Sequence, residues 1–283
     1  MQEFMKSMTF SMELRGFAKS TQHTYLAHLQ RYVEFCGKSP ASAGYEEVRA
    51  FLHQAITEKK LSSAYVNSAY GALKFYYQSV FFREWNMLHV PRVKQRSFLP
   101  TILTPQEVLQ ILDATANLKH RAILTMIYSA GLRVSEAAHL QITDIHSADM
   151  RLLIRQSKGN KDRLSVLSQT ALLLLRQYWK AYRPKLWLFP GIPDTKPIAT
   201  RTIQTVFRDS VRAAGISKKV SVHTLRHCFA THLLNQGSTI LEIKELLGHT
   251  DIQTTSKYLH LTHAQVLGLK SPLDYPTGDD DHA

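Results

Sequence analysis

The stretch SVHTLRHCFATHLL, residues 221–234, decides how the rest of this chain is read. It reads as a helix over His223–Asn235. The i,i+3 spacing of His223 and Arg226 puts an imidazole and a guanidinium on one helix face, aimed into one site. Two further strings flank it. Upstream, GLRVSEAAHL (131–140) carries Arg133 close after a glycine, at the start of a short helix over Val134–Leu140. Downstream, LLGHTDIQTTSKYLH (246–260) carries His249 after Gly248, at the end of a helix over Ile240–Leu247. Tyr258 follows nine residues later, at the end of a short helix over Asp251–Leu259.

The elements between these strings are mostly helical. Thr104-Pro105-Gln106-Glu107 is a capping box with proline at the first helical position, so a helix opens there. Further helices are expected over His120–Ala130, Ser168–Tyr182 and Thr200–Ala214. Arg151–Arg155 and Arg163–Leu167 read as the arms of a hairpin with KGNKD (158–162) at its tip. Residues 1–90 read as helices: one before Gly16, one capped by Ser20 and running to Lys38, one over Tyr45–Lys60 and one over Ser62–Phe82. The last is rich in aromatics, which are read as core. Residues 89–103, HVPRVKQRSFLPTIL, hold two prolines, four basic residues when His89 is counted with Arg92, Lys94 and Arg96, and no acid, and read as an extended basic strap.

Composition narrows the function. The 283 residues include 35 Lys plus Arg against 22 Asp plus Glu, a net charge of +13, which favours a polyanionic partner. Both parts share the excess: residues 1–95 carry 12 basic and 7 acidic groups, residues 96–283 carry 23 and 15. With 44% hydrophobic residues the chain has enough apolar material for a core. The two cysteines, Cys36 and Cys228, make no disulfide scaffold and fit a reducing compartment. No apolar run approaches the roughly 20 residues of a membrane span, and MQEFMKSMTF lacks the apolar core of a secretory signal.

Other chemistries fit poorly. His223 and His227 are four apart, but Thr224 stands where a metalloprotease helix needs Glu, and no cysteine pair has zinc spacing. No metal and no cofactor is therefore expected, and His227 and His232 are read as core or surface histidines. There is no nucleophile elbow, Walker loop or dinucleotide fingerprint. What remains is two arginines, two histidines, a loop lysine and a tyrosine. Arginines grip phosphate bidentately and tyrosine can act as a covalent nucleophile, so the set suits attack on a phosphodiester. A basic, helical, non-catalytic DNA-binding regulator stays open beside it.

The ordered set resembles the tyrosine recombinase (phage integrase) family over roughly residues 5–265. That family carries an arginine in a G-L-R-x-S-E context, a lysine on a β-hairpin, an H-x-L-R helix, an L-G-H turn and a tyrosine nine residues on. The resemblance implies catalytic roles for Arg133, Lys158, His223, Arg226, His249 and Tyr258, with Lys161 the alternative to Lys158. It implies a mainly α fold with a small β component. A helical, SAM-like core-binding domain (1–90), a basic linker (91–103) and a mixed α/β catalytic domain (104–270) would form a C-shaped clamp on double-stranded DNA, followed by an acidic flexible tail (271–283). Tyr258 would form a 3′-phosphotyrosyl bond, Arg133, Arg226 and His249 would bind the phosphate oxygens, His223 would assist proton transfer, and Lys158 would protonate the leaving 5′-oxygen. A homotetramer on paired sites would exchange strands through a Holliday junction, in the bacterial cytoplasm and with or without an accessory or heterologous recombinase. The layout, without an arm-binding domain or a large insertion between Lys158 and His223, resembles Xer-like and transposon-associated members. Residues 260–275 are expected to dock on a neighbouring subunit, with packing in cis as the alternative. A type IB topoisomerase activity would share this chemistry.

Overall fold

The computed structural model describes residues 2–86, 89–94, 100–157, 161–249 and 251–259. The chain divides into two compact units, residues 1–97 and 98–283. No helix among the described residues is long and apolar enough to cross a membrane.

The first unit holds four helices: α1 (Gln2–Leu14), α2 (Lys19–Cys36), α3 (Tyr45–Thr57) and α4 (Ser63–Ser79). Local chemistry sets their ends. Gly37, at φ 62°, closes α2 in the left-handed conformation. Ser62 accepts a hydrogen bond from the Tyr65 amide and opens α4. The helix expected to be capped by Ser20 starts at Lys19 instead, because the extended residue is Ala18. The aromatics of α4 are core, as their spacing suggests: Tyr70, Tyr76 and Tyr77 are buried, with Tyr32 of α2 against them. The Tyr32 and Tyr77 hydroxyls meet at 2.8 Å, and Tyr77 donates onward to the Pro40 carbonyl.

The expected basic strap is shorter than its sequence suggests. Val90 is buried in the first unit, and the Asn67 side chain pairs with both the N–H and the carbonyl of Val93. At the other end Leu103 is buried in the second unit. Its N–H donates to Cys228 Sγ at 3.3 Å, and its carbonyl accepts from His232 Nε2 at 3.0 Å. Apolar side chains at both ends favour burial over an exposed run. Residues 95–99 lie outside the described residues.

The second unit runs α5 (Pro105–Asp113), α6 (Leu118–Ser129), α7 (Val134–Ala138), β1 (Ile145–His146), β2 (Arg151–Ser157), β3 (Lys161–Val166), α8 (Gln169–Tyr182), α9 (Thr200–Ala213), α10 (Val222–Asn235), α11 (Ile240–Leu247) and α12 (Ile252–Ser256). The capping box at Thr104 is complete: Thr104 accepts from the Glu107 amide, and Glu107 from the Thr104 amide. Helix α6 packs on α5, α7, α8, α9 and α10, burying Ile123, Leu124, Met126 and Ile127. The sheet is antiparallel in the order β1-β2-β3, with an irregularity between Ile154 and Ser157. Strand β1 was not expected from the sequence, since a two-residue strand leaves no periodicity to read. The expected hairpin tip also shrinks, because Lys161 and Asp162 belong to β3.

Candidate active site

The site is assembled where α7, α10, β3 and the segment after α11 converge on one carboxylate, Glu136. Gly131 makes this possible. Its φ of +62° ends α6 in a turn that sends Leu132 inward and leaves Arg133 as the residue capping α7. Glu136 closes that turn by accepting the Arg133 amide at 2.8 Å and its guanidinium at 2.6 Å. Arg163, from β3, meets the same carboxylate with Nη1 at 2.8 Å and Nη2 at 2.9 Å, and its Nε donates to the Leu246 carbonyl. Arg226 Nη1 lies 3.6 Å from Glu136 Oε2. Burial works to raise the Glu136 pKa, but the hydrogen bonds and charge of Arg163, then Arg133, prevail and hold it at about 2.

Arg226 is buried and donates to the Gly131 carbonyl at 2.6 Å and the Leu247 carbonyl at 2.7 Å. Burial, then the charge of Arg133, pushes its pKa down to about 9, so it stays charged at neutral pH. Its Nη2 also lies 3.1 Å from His249 Nε2. A guanidinium only donates, so Nε2 accepts, and the His249 proton sits on Nδ1, 2.8 Å from Thr255 Oγ1. His223, one turn before Arg226, is exposed, and no hydrogen bond engages its ring among the described residues. Partial shielding, then the charges of Arg226 and Arg133, lowers its pKa.

Tyr258 follows α12 and is buried in a small cluster with Phe229, Leu234, Ile243 and Leu247. Its hydroxyl lies 2.9 Å from His227 Nδ1. Burial raises the phenol pKa, while Arg226 and Arg133 pull against that rise. His227 is pushed down to about 4 by burial, then by the charges of His223, Arg226 and Lys257, so its ring is neutral at pH 7.

The structure thus brings together Arg133, Arg226 and His249, sets Tyr258 within their electrostatic reach and leaves His223 at the edge. Lys158 lies outside the described residues, as do residues 260–283. Two participants were missed by the sequence reading. His227, read as a core or surface histidine, touches the tyrosine hydroxyl. His232 fits that reading: it links Tyr128 to Leu103. Arg163 carried no signal beyond its place on a predicted strand. No group of three or more His, Cys, Asp or Glu among the described residues could hold a metal ion.

Three guanidiniums meet one carboxylate on a mainly helical frame, with a tyrosine within reach of the charge of two of them. The chain matches the model of the Phage integrase family over residues 101–265 and that of the phage integrase N-terminal SAM-like domain over residues 4–87. It is 38% identical over 270 residues to the integrase/recombinase y4qK of Sinorhizobium fredii, covering 94% of this chain and 87% of that protein. It is 31% identical over 264 residues to tyrosine recombinase XerA of Pyrococcus horikoshii, covering 92% and 90%. Its fold is similar to that of lambda integrase, solved as a tetramer bound to a Holliday junction, with a TM-score of 0.74 at 19% identity over 91% of this chain and 76% of that one. The chain belongs to the phage integrase family, the tyrosine recombinases.

Proposed function

We propose that the protein is a site-specific DNA recombinase that cuts and rejoins strands through Tyr258, in integration, excision or resolution of DNA elements. The observation that supports this is the convergence of Arg133, Arg226 and His249, with Tyr258 within reach of the charge of both arginines. Arg133 and Arg226 would hold the non-bridging oxygens of the scissile phosphate and stabilise the charge that builds there in the transition state. Three guanidiniums against Glu136 leave the pocket an excess of positive charge to receive that anion. His249 would donate a hydrogen bond to the same oxygens from Nε2, which requires a proton on that nitrogen in place of the Arg226 contact, and exposed His223 would pass a proton. Lys158 would protonate the leaving 5′-oxygen. Tyr258 oxygen bonds to phosphorus, the 5′-oxygen departs with a proton, and the phosphodiester energy is kept in the 3′-phosphotyrosyl bond. An incoming 5′-hydroxyl reverses the step.

The basic excess is shared by both parts of the chain, so a core-binding domain (1–90) and a catalytic domain (104–270) would each contact the DNA backbone. Two rounds of exchange on paired sites call for a homotetramer, the form in which lambda integrase holds its Holliday junction. Work on DNA would take the protein to the nucleoid. The test is covalent capture. Cells carrying the protein's native flanking DNA are lysed in SDS, the tagged protein is recovered and attached DNA is sequenced. Wild type should retain one discrete sequence and Tyr258→Phe none. DNA binding without any adduct in wild type would favour a non-catalytic regulator, and adducts scattered without site preference a topoisomerase-like activity.

A further inference from the structure

We propose that His227 is the positioning residue for the nucleophile: its Nδ1 fixes the Tyr258 hydroxyl to the helix that carries Arg226. The proposal rests on the recombinase reading of the site. Four observations lead to it. First, the cluster packs the Tyr258 ring, but the helix before it does little to fix where the hydroxyl points. Helix α12 is five residues long, and a helix that short cannot order itself. Second, among the described residues His227 is the hydroxyl's hydrogen-bond partner, at 2.9 Å. Third, α10 is a rigid mount. Val222, Leu225 and Cys228 pack into the main core, and Phe229, Ala230 and Leu234 into the second cluster. Fourth, Arg226 is the residue next to His227 and is tied to the Gly131 and Leu247 carbonyls. One helix therefore fixes a phosphate-binding arginine and, through the adjacent side chain, the attacking oxygen. The separation of those two groups is what an in-line displacement depends on.

The neutral state of His227 suits this task. A charged imidazolium would add another cation beside Arg226 and would have no lone pair left at Nδ1. A neutral ring can accept the phenol proton in a hydrogen bond or donate to the oxygen as it gains charge, and it takes no proton away for good. His223, exposed and with no ring hydrogen bond among the described residues, remains the group for proton transfer, so the two histidines of this helix divide holding from transferring.

The test uses the full chain and a duplex carrying the sequence captured on wild type. Asparagine places an amide where Nδ1 stands, whereas glutamine places it at the Nε2 position. His227→Ala and His227→Gln should bind the duplex as wild type does but form the covalent adduct about 10- to 100-fold more slowly at saturating protein, the loss expected for a reacting group misplaced by about 1 Å. His227→Asn should recover most of that rate. The contact itself is read without DNA, from the ring nitrogen NMR signals of His227 in wild type and in Tyr258→Phe, which should differ. Adduct formation by His227→Ala at the wild-type rate or faster overturns the proposal, as does a His227→Asn variant no better than His227→Gln, or ring signals unchanged by Tyr258→Phe. If His227→Ala does not fold, the Asn and Gln variants decide alone. Differing ring signals with no adduct in wild type would instead sink the recombinase reading, and the proposal with it.

Discussion

Arg163 holds Glu136 with both terminal guanidinium nitrogens, at 2.8 and 2.9 Å, across 27 residues of sequence. Its third nitrogen donates to Leu246, two residues before Gly248. One side chain thus ties the hairpin, the Arg133 turn and the segment leading to His249. Removing it leaves the buried Glu136 without these two hydrogen bonds. Arg163→Ala should destabilise the second unit by about 3–5 kcal/mol, as expected when one partner of a buried pair is lost. Arg163→Lys, which keeps the charge but not the fork, should recover only part of this. Urea unfolding of the full chain, followed by a probe in residues 98–283, checks both.

The depressed pKa of Glu136 gives an acid limb to stability. Unfolded, this carboxyl titrates near 4.5; folded, it is held at about 2. Below pH 4.5 the unfolded chain binds the proton and the folded chain does not, so stability falls as pH drops from about 4.5 to about 2 and is fully present above that window. The gap corresponds to about 3 kcal/mol. Glu136→Gln should be less stable than wild type at pH 7 and should lose less on acidification. Unfolding free energies measured from pH 7 to pH 2.5 would show it, and parallel acid limbs in the two proteins would exclude Glu136 as the source.

Gly131→Ala should be costly for two separate reasons. The residue sits at φ +62°, and an added Cβ would lie 2.4 Å from Phe229 Cδ1 and 3.0 Å from Leu247 Cδ2. Strain and overpacking together predict a loss of about 2–5 kcal/mol. Gly215→Ala is the control: φ is +69° but no atom lies within 4 Å of the new Cβ, so only the backbone cost of about 1 kcal/mol applies. Thermal unfolding of the two variants should separate them clearly.

In the first unit the Tyr32–Tyr77 pair is asymmetric. Tyr32→Phe leaves Tyr77 still donating to Pro40, whereas Tyr77→Phe strips a partner from both Tyr32 and Pro40. Tyr32→Phe should cost about 1 kcal/mol and Tyr77→Phe about 1–3 kcal/mol. Equal losses in denaturant unfolding would contradict the arrangement.

What was legible in the sequence is what local spacing encodes. The Thr104–Glu107 box closes within four residues, and α5 starts where it predicts. The i,i+3 relation of His223 and Arg226 placed both on α10, and the ordered strings around Arg133, His249 and Tyr258 marked the rest of the site. What was not legible is long-range. Arg163 meets Glu136, and His227 meets Tyr258 across 31 residues. No window of sequence contains either pair, and each residue alone has an ordinary reading as a strand cation or a packed histidine. The strap between the units was misjudged for a related reason: its prolines and charges are visible, but the fit of Val90 and Leu103 into two cores is a property of the folded surfaces.

The fastening of Leu103 has a mechanical consequence. Leu103 is held through its N–H by Cys228 and through its carbonyl by His232, which in turn is braced by Tyr128. Cys228 and His232 lie on α10, the helix of Arg226 and His227. The connecting peptide therefore enters the second unit on the very rod that carries the arginine, not on a remote surface. Within the second unit, Leu103 is thus held by the element that carries the arginine, so a change that loosens Leu103 is felt on the mount of Arg226.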